Sequence, residues 1–280
     1  MKNKIWFVTG ASKGLGLALV QKLLSEGYHV AATSRSFKEL EIAIGSESAN
    51  FLPLQVDLVD DSSVKIAIEQ TIQYFGGLDV VVNNAGYGQM GAIEEVSDSF
   101  ARMNFDINVF GTLNVIRNAL PFLRNQESGY IFNISSIVGF SALNGNGIYA
   151  ATKFAVDGLS ESLAQEVKPF GIKVTSVKPG YFRTNFLSTN TSLYEATNPI
   201  EAYEEYREIQ VERRKSFNGN QIGDPRKAAQ VLINLSMEEN PPIHLFLGKD
   251  AYKSGKEKIR SVEKDMDVWK ALATSTDFDE

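Results

Sequence analysis

The chain has 280 residues; at about 150 residues per domain that is just under two domains, although doubly wound α/β folds can exceed about 200 residues as one. Apolar residues make up 43% and charged residues 22%, which supplies a sizeable core and excludes intrinsic disorder for most of the chain. With 28 basic residues against 34 acidic ones, no cysteine and two histidines, the composition argues against a nucleic-acid partner, disulfides, a metal site and a cysteine nucleophile. Lys2 and Lys4 precede only residues 5–8 before Thr9-Gly10 ends the apolar run, which is too short for a signal-peptide core and reads as a first strand. No apolar run approaches the roughly 18 residues that cross a bilayer. The expectation is a cytoplasmic protein with no membrane partner.

Continuous apolar, β-rich runs recur at residues 5–9, 28–33, 51–56, 78–83, 130–135, 172–177 and 243–247. Runs of this kind, rather than alternating ones, suit parallel strands covered on both faces. Helical patterns lie between them, such as Leu15, Leu19 and Leu23 with Val20 and Leu24, and a pattern from Ser62 through Val64, Ile68 and Ile72 that ends at Gly76-Gly77. Strands alternating with helices predict a doubly wound parallel α/β sheet of about seven strands. Residues 185–223 break the alternation, being rich in Asn, Ser, Thr and Glu, and read as a helical insertion over the carboxyl edge of the sheet that covers a substrate. Asp224-Pro225 then starts a helix through Ala228, Val231 and Leu235, and a last helix carries Ile259, Val262, Met266 and Trp269. With no repeat or linker in sight, the expectation is a single domain over residues 1–280, with 249–280 as a C-terminal helical extension.

Directly after the first strand comes Thr9-Gly10-Ala11-Ser12-Lys13-Gly14-Leu15-Gly16, leading into the first helix. Glycine is needed where a Cβ would collide with a pyrophosphate, and a helix start offers free N–H groups and a positive dipole end to it. The alternative is a glycine-rich turn with no ligand. The second strand ends Ala32-Thr33-Ser34-Arg35, without the acid that NAD sites place on the ribose 2′-hydroxyl. Arg35 and Lys13 together favour a 2′-phosphate, hence NADP(H), although each alone reads equally as a solvated cation. Asp57, followed by Leu58 after the third strand, either accepts from the adenine amino group or caps the next turn. In Asn83-Asn84-Ala85-Gly86, small residues would let backbone lie against the adenosine ribose.

Tyr149 and Lys153 are four residues apart, on one helical face. A tyrosine has a reference pKa of about 10, and an ammonium about 5 Å away at an effective dielectric near 20 would lower it by roughly two units. The spacing alone is not diagnostic, since Tyr252 and Lys256 share it. What separates the pairs is Ser136, thirteen residues before Tyr149 at the end of the fifth strand, whereas Glu239 holds the same place before Tyr252 in no strand. Tyr252 and Lys256 are therefore expected on a helix surface, His29 and His244 are expected to be structural, and Arg213-Arg214-Lys215 is expected on the solvated face of the insertion.

These motifs, with Asn108 and Gly111 and with Pro179-Gly180 followed by Thr184, resemble the short-chain dehydrogenase/reductase family in order and spacing over residues 4–184. Beyond Asn185 the likeness weakens, and the C-terminal part is similar to a branch of hydroxysteroid dehydrogenase-like and uncharacterised bacterial oxidoreductases. The resemblance implies a Rossmann fold and hydride transfer between NADP(H) and a carbonyl or secondary alcohol. It implies Tyr149 as proton donor and acceptor, Ser136 as the group polarising the substrate oxygen, and Lys153 on the nicotinamide ribose. Asn108 would hold a water linking Lys153 to solvent, and Thr184, beside Pro179 and Gly180, would contact the carboxamide. It also implies a homo-oligomer, dimer or tetramer. A mouth formed by residues 87–92, 140–144, 181–182 and the insertion, without clustered cations, suggests a largely apolar small-molecule substrate. The alternative is a catalytically silent NADP(H)-binding regulatory protein, against which the complete Asn108, Ser136, Tyr149 and Lys153 set argues.

Overall fold

A computed structural model describes residues 4–188, 192–196 and 198–278, so residues 189–191 and 197 of the expected insertion, and Lys2, lie outside the described residues. The strands among them are β1 (Ile5–Val8), β2 (His29–Ser34), β3 (Phe51–Gln55), β4 (Val80–Asn83), β5 (Gly88–Met90), β6 (Gly129–Ile134), β7 (Ile172–Pro179), β8 (Leu193–Glu195) and β9 (His244–Leu247). The α-helices are α1 (Gly14–Ser25), α2 (Phe37–Ile44), α3 (Asp61–Phe75), α4 (Asp98–Phe105), α5 (Gly111–Asn125), α6 (Gly147–Val167), α7 (Glu204–Phe217), α8 (Pro225–Leu235) and α9 (Lys249–Ala273).

Seven strands form one sheet in the order β3-β2-β1-β4-β6-β7-β9, every pairing parallel. The seven apolar runs are these seven strands, within a residue or two at their ends. Their continuity has a plain cause. Trp6 and Val8, Val80 and Val82, and Tyr130 and Phe132 enter one core layer, beneath α1 and α8. Phe7, Val81 and Ile131, one residue out of phase, enter the other, beneath α3, α5 and α6. A strand buried on both faces has no polar side to show. Strand order reverses direction between β1 and β4, which makes the crevice beyond their carboxyl ends the place where open α/β sheets bind ligands.

Local chemistry accounts for the helix limits. Asp60 caps α3 through Ser62 N, and α3 stops at Gly76 in the left-handed region, φ 80°. Asp224 accepts from Arg226 N with Pro225 in the first turn of α8. Two elements went unforeseen: β5 and β8 pair as a separate two-stranded parallel sheet, because three-residue strands are too short to show a period. α9 forms with Ile259, Val262, Met266 and Trp269 on it, but all four are exposed, because only its first turns, around Ala251 and Gly255, reach the body. No described helix is long and apolar enough to cross a membrane.

Candidate active site

A cleft of about 550 Å³ opens at the carboxyl edge of the sheet. Its floor is built from the turn after β1 and the turn after β4, held together by Thr9. The Thr9 hydroxyl accepts from Asn84 N and Ala85 N, both at 3.0 Å, while Asn84 Nδ2 donates to Thr9 O at 2.9 Å and Gly10 O at 3.0 Å. Gly10 sits at φ +64°, and a Cβ there would lie 2.7 Å from Ala85 Cα. That close approach is what the glycine permits. Gly10, Ser12, Lys13, Gly14, Leu15, Asn84, Ala85 and Gly86 all line the cleft. The N-terminus of α1 has no side-chain cap and no acid in its first turn, and its first residues, Gly14 and Leu15, line the cleft, which puts the positive end of the helix at that wall. Gly16 lies behind the wall, buried in α1, where a Cβ would meet Gly10 O at 2.6 Å. Its place is to let helix and turn pack closely.

At the end of β2, Arg35 lines the cleft with Thr33 and Ser34, and Asp57 and Leu58 line it after β3. Asp57 Oδ1 accepts from Val59 N at 3.0 Å, so that carboxylate does cap its own turn. One acid escaped the reading of β2: Glu39, from the first turn of α2, also lines the cleft and accepts from Ser12 Oγ at 3.4 Å. It was hidden because it sits five residues beyond the strand end, brought back by the start of the helix.

Ser136, Tyr149 and Lys153 meet on the opposite wall, beside Pro179, Gly180 and Thr184. Close packing of α6 under the turn after β6 brings them there: Ser135 Oγ donates to Lys153 O at 3.0 Å, and a Cβ on Gly139 would lie 2.7 Å from Lys153 Cβ. Burial pushes the Tyr149 phenol up to about 12, with a hydrogen bond to Ser136 pulling it partly back. Burial pushes the Lys153 ammonium down to about 8, opposed by Asp157. Lys153 Nζ donates to Ile134 O at 2.8 Å and lies 5.9 Å from the centre of the Tyr149 ring. The expected lowering of the tyrosine by the lysine is thus not present in this state: the ammonium is turned to a main-chain carbonyl, and desolvation of the phenol dominates. A tyrosine at about 12 keeps its proton throughout the usable range, which suits a proton donor.

Asn108 does not line the cleft. It sits fully buried in a π-helical turn, Asp106–Phe110, that joins α4 to α5. Its Oδ1 accepts from Tyr87 N at 3.1 Å, and its Nδ2 donates to Tyr87 O at 3.0 Å and Thr152 Oγ1 at 3.1 Å. A Cβ on Gly86 would come within 2.9 Å of that Oδ1 and 3.4 Å of Lys153 Nζ, so amide and ammonium flank the same glycine. A π turn is a frequent mark of a functional position in a helix.

The mouth is apolar around Met90, Leu143, Phe186 and Leu193, with Tyr181 stacked on Phe217 at 5.3 Å. Contrary to the expectation of a mouth without clustered cations, Arg213 and Arg214 line it as well. Gln210, Arg213, Arg214 and Phe217 follow the i, i+3, i+4, i+7 spacing of one helical face, and α7 turns that face inward. Arg214 is ion-paired to Glu195. The insertion is pinned over the cleft by β5 and β8 and by Glu95, a fully buried carboxylate that accepts from Ala92 N, Ile200 N and Arg207. Burial would raise Glu95, but the two backbone donors and the guanidinium outweigh it and hold the group below its ordinary value. Its contribution is therefore present above the normal glutamate range and lost as pH falls through the depressed folded value. Glu95→Ala should cost about 2–3 kcal/mol, read as a lower urea midpoint, and should hasten proteolysis between residues 188 and 218. A midpoint equal to that of the parent would contradict this anchoring.

Comparison with known proteins agrees with this geometry. The short chain dehydrogenase family model matches residues 4–194. A 3-ketodihydrosphingosine reductase from Bacteroides thetaiotaomicron is 38% identical over 250 residues, covering 89% of each chain. A short-chain dehydrogenase structure from Streptomyces avermitilis shares 35% identity at a TM-score of 0.88, over 98% of this chain and 100% of that one. The structure of ElxO with NADP bound shares 28% identity at a TM-score of 0.70, over 88% of this chain and 96% of that one. On the fold, the glycine turn and these matches together, the chain belongs to the short-chain dehydrogenase/reductase family of NAD(P)-dependent oxidoreductases.

Proposed function

We propose that the chain is an NADPH-dependent reductase of ketones, or the reverse alcohol dehydrogenase, acting on a small molecule that is largely apolar next to the reacting carbon. The observation that carries this reading is the convergence of Ser136, Tyr149 and Lys153 on the same cleft as the glycine turn and the open N-terminus of α1. The residues fit the dinucleotide: a glycine turn whose Gly14 leaves room for the pyrophosphate, two cations at the ribose end, and Thr184 with Pro179 and Gly180 at the nicotinamide end. When bound, the nicotinamide supplies or accepts the hydride.

Tyr149 gives its proton to the substrate oxygen, Ser136 donates a hydrogen bond to that oxygen, and Lys153 binds ribose hydroxyls. Asn108 braces the main chain at Tyr87, behind the glycine that separates it from Lys153. The apolar wall of Met90, Leu143, Phe186 and Leu193 suits an aliphatic flank. The likeness to a ketodihydrosphingosine reductase supports a ketone with such a flank. The same reading makes the chain one domain and, by family resemblance, a cytoplasmic dimer or tetramer.

Arg35 and Lys13 favour the 2′-phosphate, while Glu39 in the same corner opposes it. Two partly exposed charge-assisted contacts, screened by solvent and offset by one carboxylate, should leave a preference of about 30-fold for NADPH over NADH. Comparing kcat/KM for the two cofactors tests this, and Glu39→Gln should widen the ratio severalfold. Equal values in the parent, or a preference for NADH, would show that Arg35 is merely solvated.

A further inference from the structure

The roles above leave unused one buried charge beside the reacting pair. Asp157 lies one helical turn beyond Lys153 on α6, and both side chains are buried. Residues four apart on a helix are neighbours on one face, with Cβ atoms about 5–6 Å apart. Across the layer, Lys178 of β7 is fully buried, with its Nζ 3.2 Å from Asp157 Oδ1. Ser176 Oγ donates to the same oxygen. The Lys178 ammonium also lies 3.1 Å from His244 Nδ1, and His244 Nε2 is 3.7 Å from Glu161 Oε1. The titratable groups around the carboxylate are therefore Lys153 and Glu161, one turn to either side on α6, Lys178 on β7 and His244 on β9. A buried carboxylate paired to one buried ammonium thus lies one helical turn from a second, Lys153, at the reacting centre.

We propose that Asp157 is a positioning residue for the reaction: its carboxylate is the counter-charge that keeps Lys153 an ammonium beside Tyr149, and Lys178, paired to the same carboxylate, sets how much of that charge Lys153 receives. This rests on the reading of Lys153 as the ribose-binding cation. Two buried cations cannot both be fully neutralised by one acid, so a change at either Lys178 or Asp157 must be felt at Lys153. Burial lowers Lys153, and the opposing influence is Asp157. Burial lowers Lys178 too, with Asp157 and Glu161 opposing. His244 is held below its ordinary value by burial and by Lys178, so it stays neutral at working pH and offers its Nδ1 lone pair to the Lys178 ammonium.

The test is the pH dependence of NADPH affinity, followed by fluorescence, and of ketone reduction, in the parent, Asp157→Asn, Asp157→Glu and Lys178→Met. Both activities should fall in the parent as pH rises through about 8, where Lys153 loses its charge. In Asp157→Asn that limb should move down by about one pH unit, in Asp157→Glu it should return, and in Lys178→Met it should move up by a similar amount. A pair with only a structural part would lower the melting temperature in both variants and leave the limb in place. An unmoved limb in folded Asp157→Asn, or movement in the same direction in both variants, overturns the proposal. Should Lys178→Met fail to fold, the contrast between Asp157→Asn and Asp157→Glu still decides. Shifts in NADPH affinity with no ketone reduced by any variant would support the counter-charge and sink the reductase reading. Turnover with fixed limbs would do the opposite.

Discussion

Tyr149→Phe is expected to lower ketone reduction by roughly 10² to 10⁴ while leaving NADPH affinity within about a factor of two. The substitution removes one hydroxyl and keeps the ring, which lies buried with its centre 6.0 Å from that of Phe186. The size of the loss follows from the role of a positioned acid: without the phenol, the developing alkoxide must take its proton from water, and Ser136 can only donate a hydrogen bond to it. Because burial holds Tyr149 up at about 12, the phenol is protonated at every usable pH, and reduction should show no alkaline limb from it within that range. Turnover by Tyr149→Phe within tenfold of the parent would remove the tyrosine from the chemistry.

Lys153→Met is the second large effect, and it should fall on two measurements at once. Loss of charge-assisted hydrogen bonds to ribose hydroxyls, worth about 1.5–3 kcal/mol, should weaken NADPH binding by roughly 10- to 100-fold. Turnover at saturating cofactor should fall as well, since the ammonium beside the phenol is gone. The pH sign is definite. A lysine lowered to about 8 by burial carries its charge below that pH and loses it above, so reduction by the parent should decline through about pH 8. In Lys153→Met that decline should disappear. Tyr252→Phe, at the exposed pair on α9, should change neither measurement. A persistent alkaline limb in Lys153→Met would assign it to another group.

The seven strands could be read from residue order because each is buried on both faces, which leaves a continuous apolar run that no surface element imitates. Ser136, Tyr149 and Lys153 were readable for a different reason: strand end, loop and helix follow one another in sequence, so convergence required no long-range contact. Where the site depends on long-range contact, the order of residues is silent. Glu39 reaches the cleft by the turn of α2, and Arg213 by the facing of α7. Asp157 and Lys178 are 21 positions apart, and only the packing of α6 on β7 makes them a pair. Asn108 was picked out by resemblance alone, and its π turn has no local sequence mark. Gly16 carries the same letter as Gly10 and Gly14, yet it faces the helix packing rather than the cleft. The expected lowering of Tyr149 failed for an energetic reason. Helix spacing places the lysine within reach, but desolvation and the carbonyl of Ile134 decide what its charge does.

The central claim, that this cleft moves hydride with Tyr149 as proton donor, is tested most directly by the absorbance of NADPH in the presence of a graded set of aliphatic ketones, run side by side with the parent and Tyr149→Phe. The parent should oxidise NADPH with at least one long-chain ketone, and Tyr149→Phe, still binding NADPH, should be slower by at least about 10². Tight NADPH binding by the parent with no oxidation across the set would contradict it and leave a cofactor-binding protein without turnover.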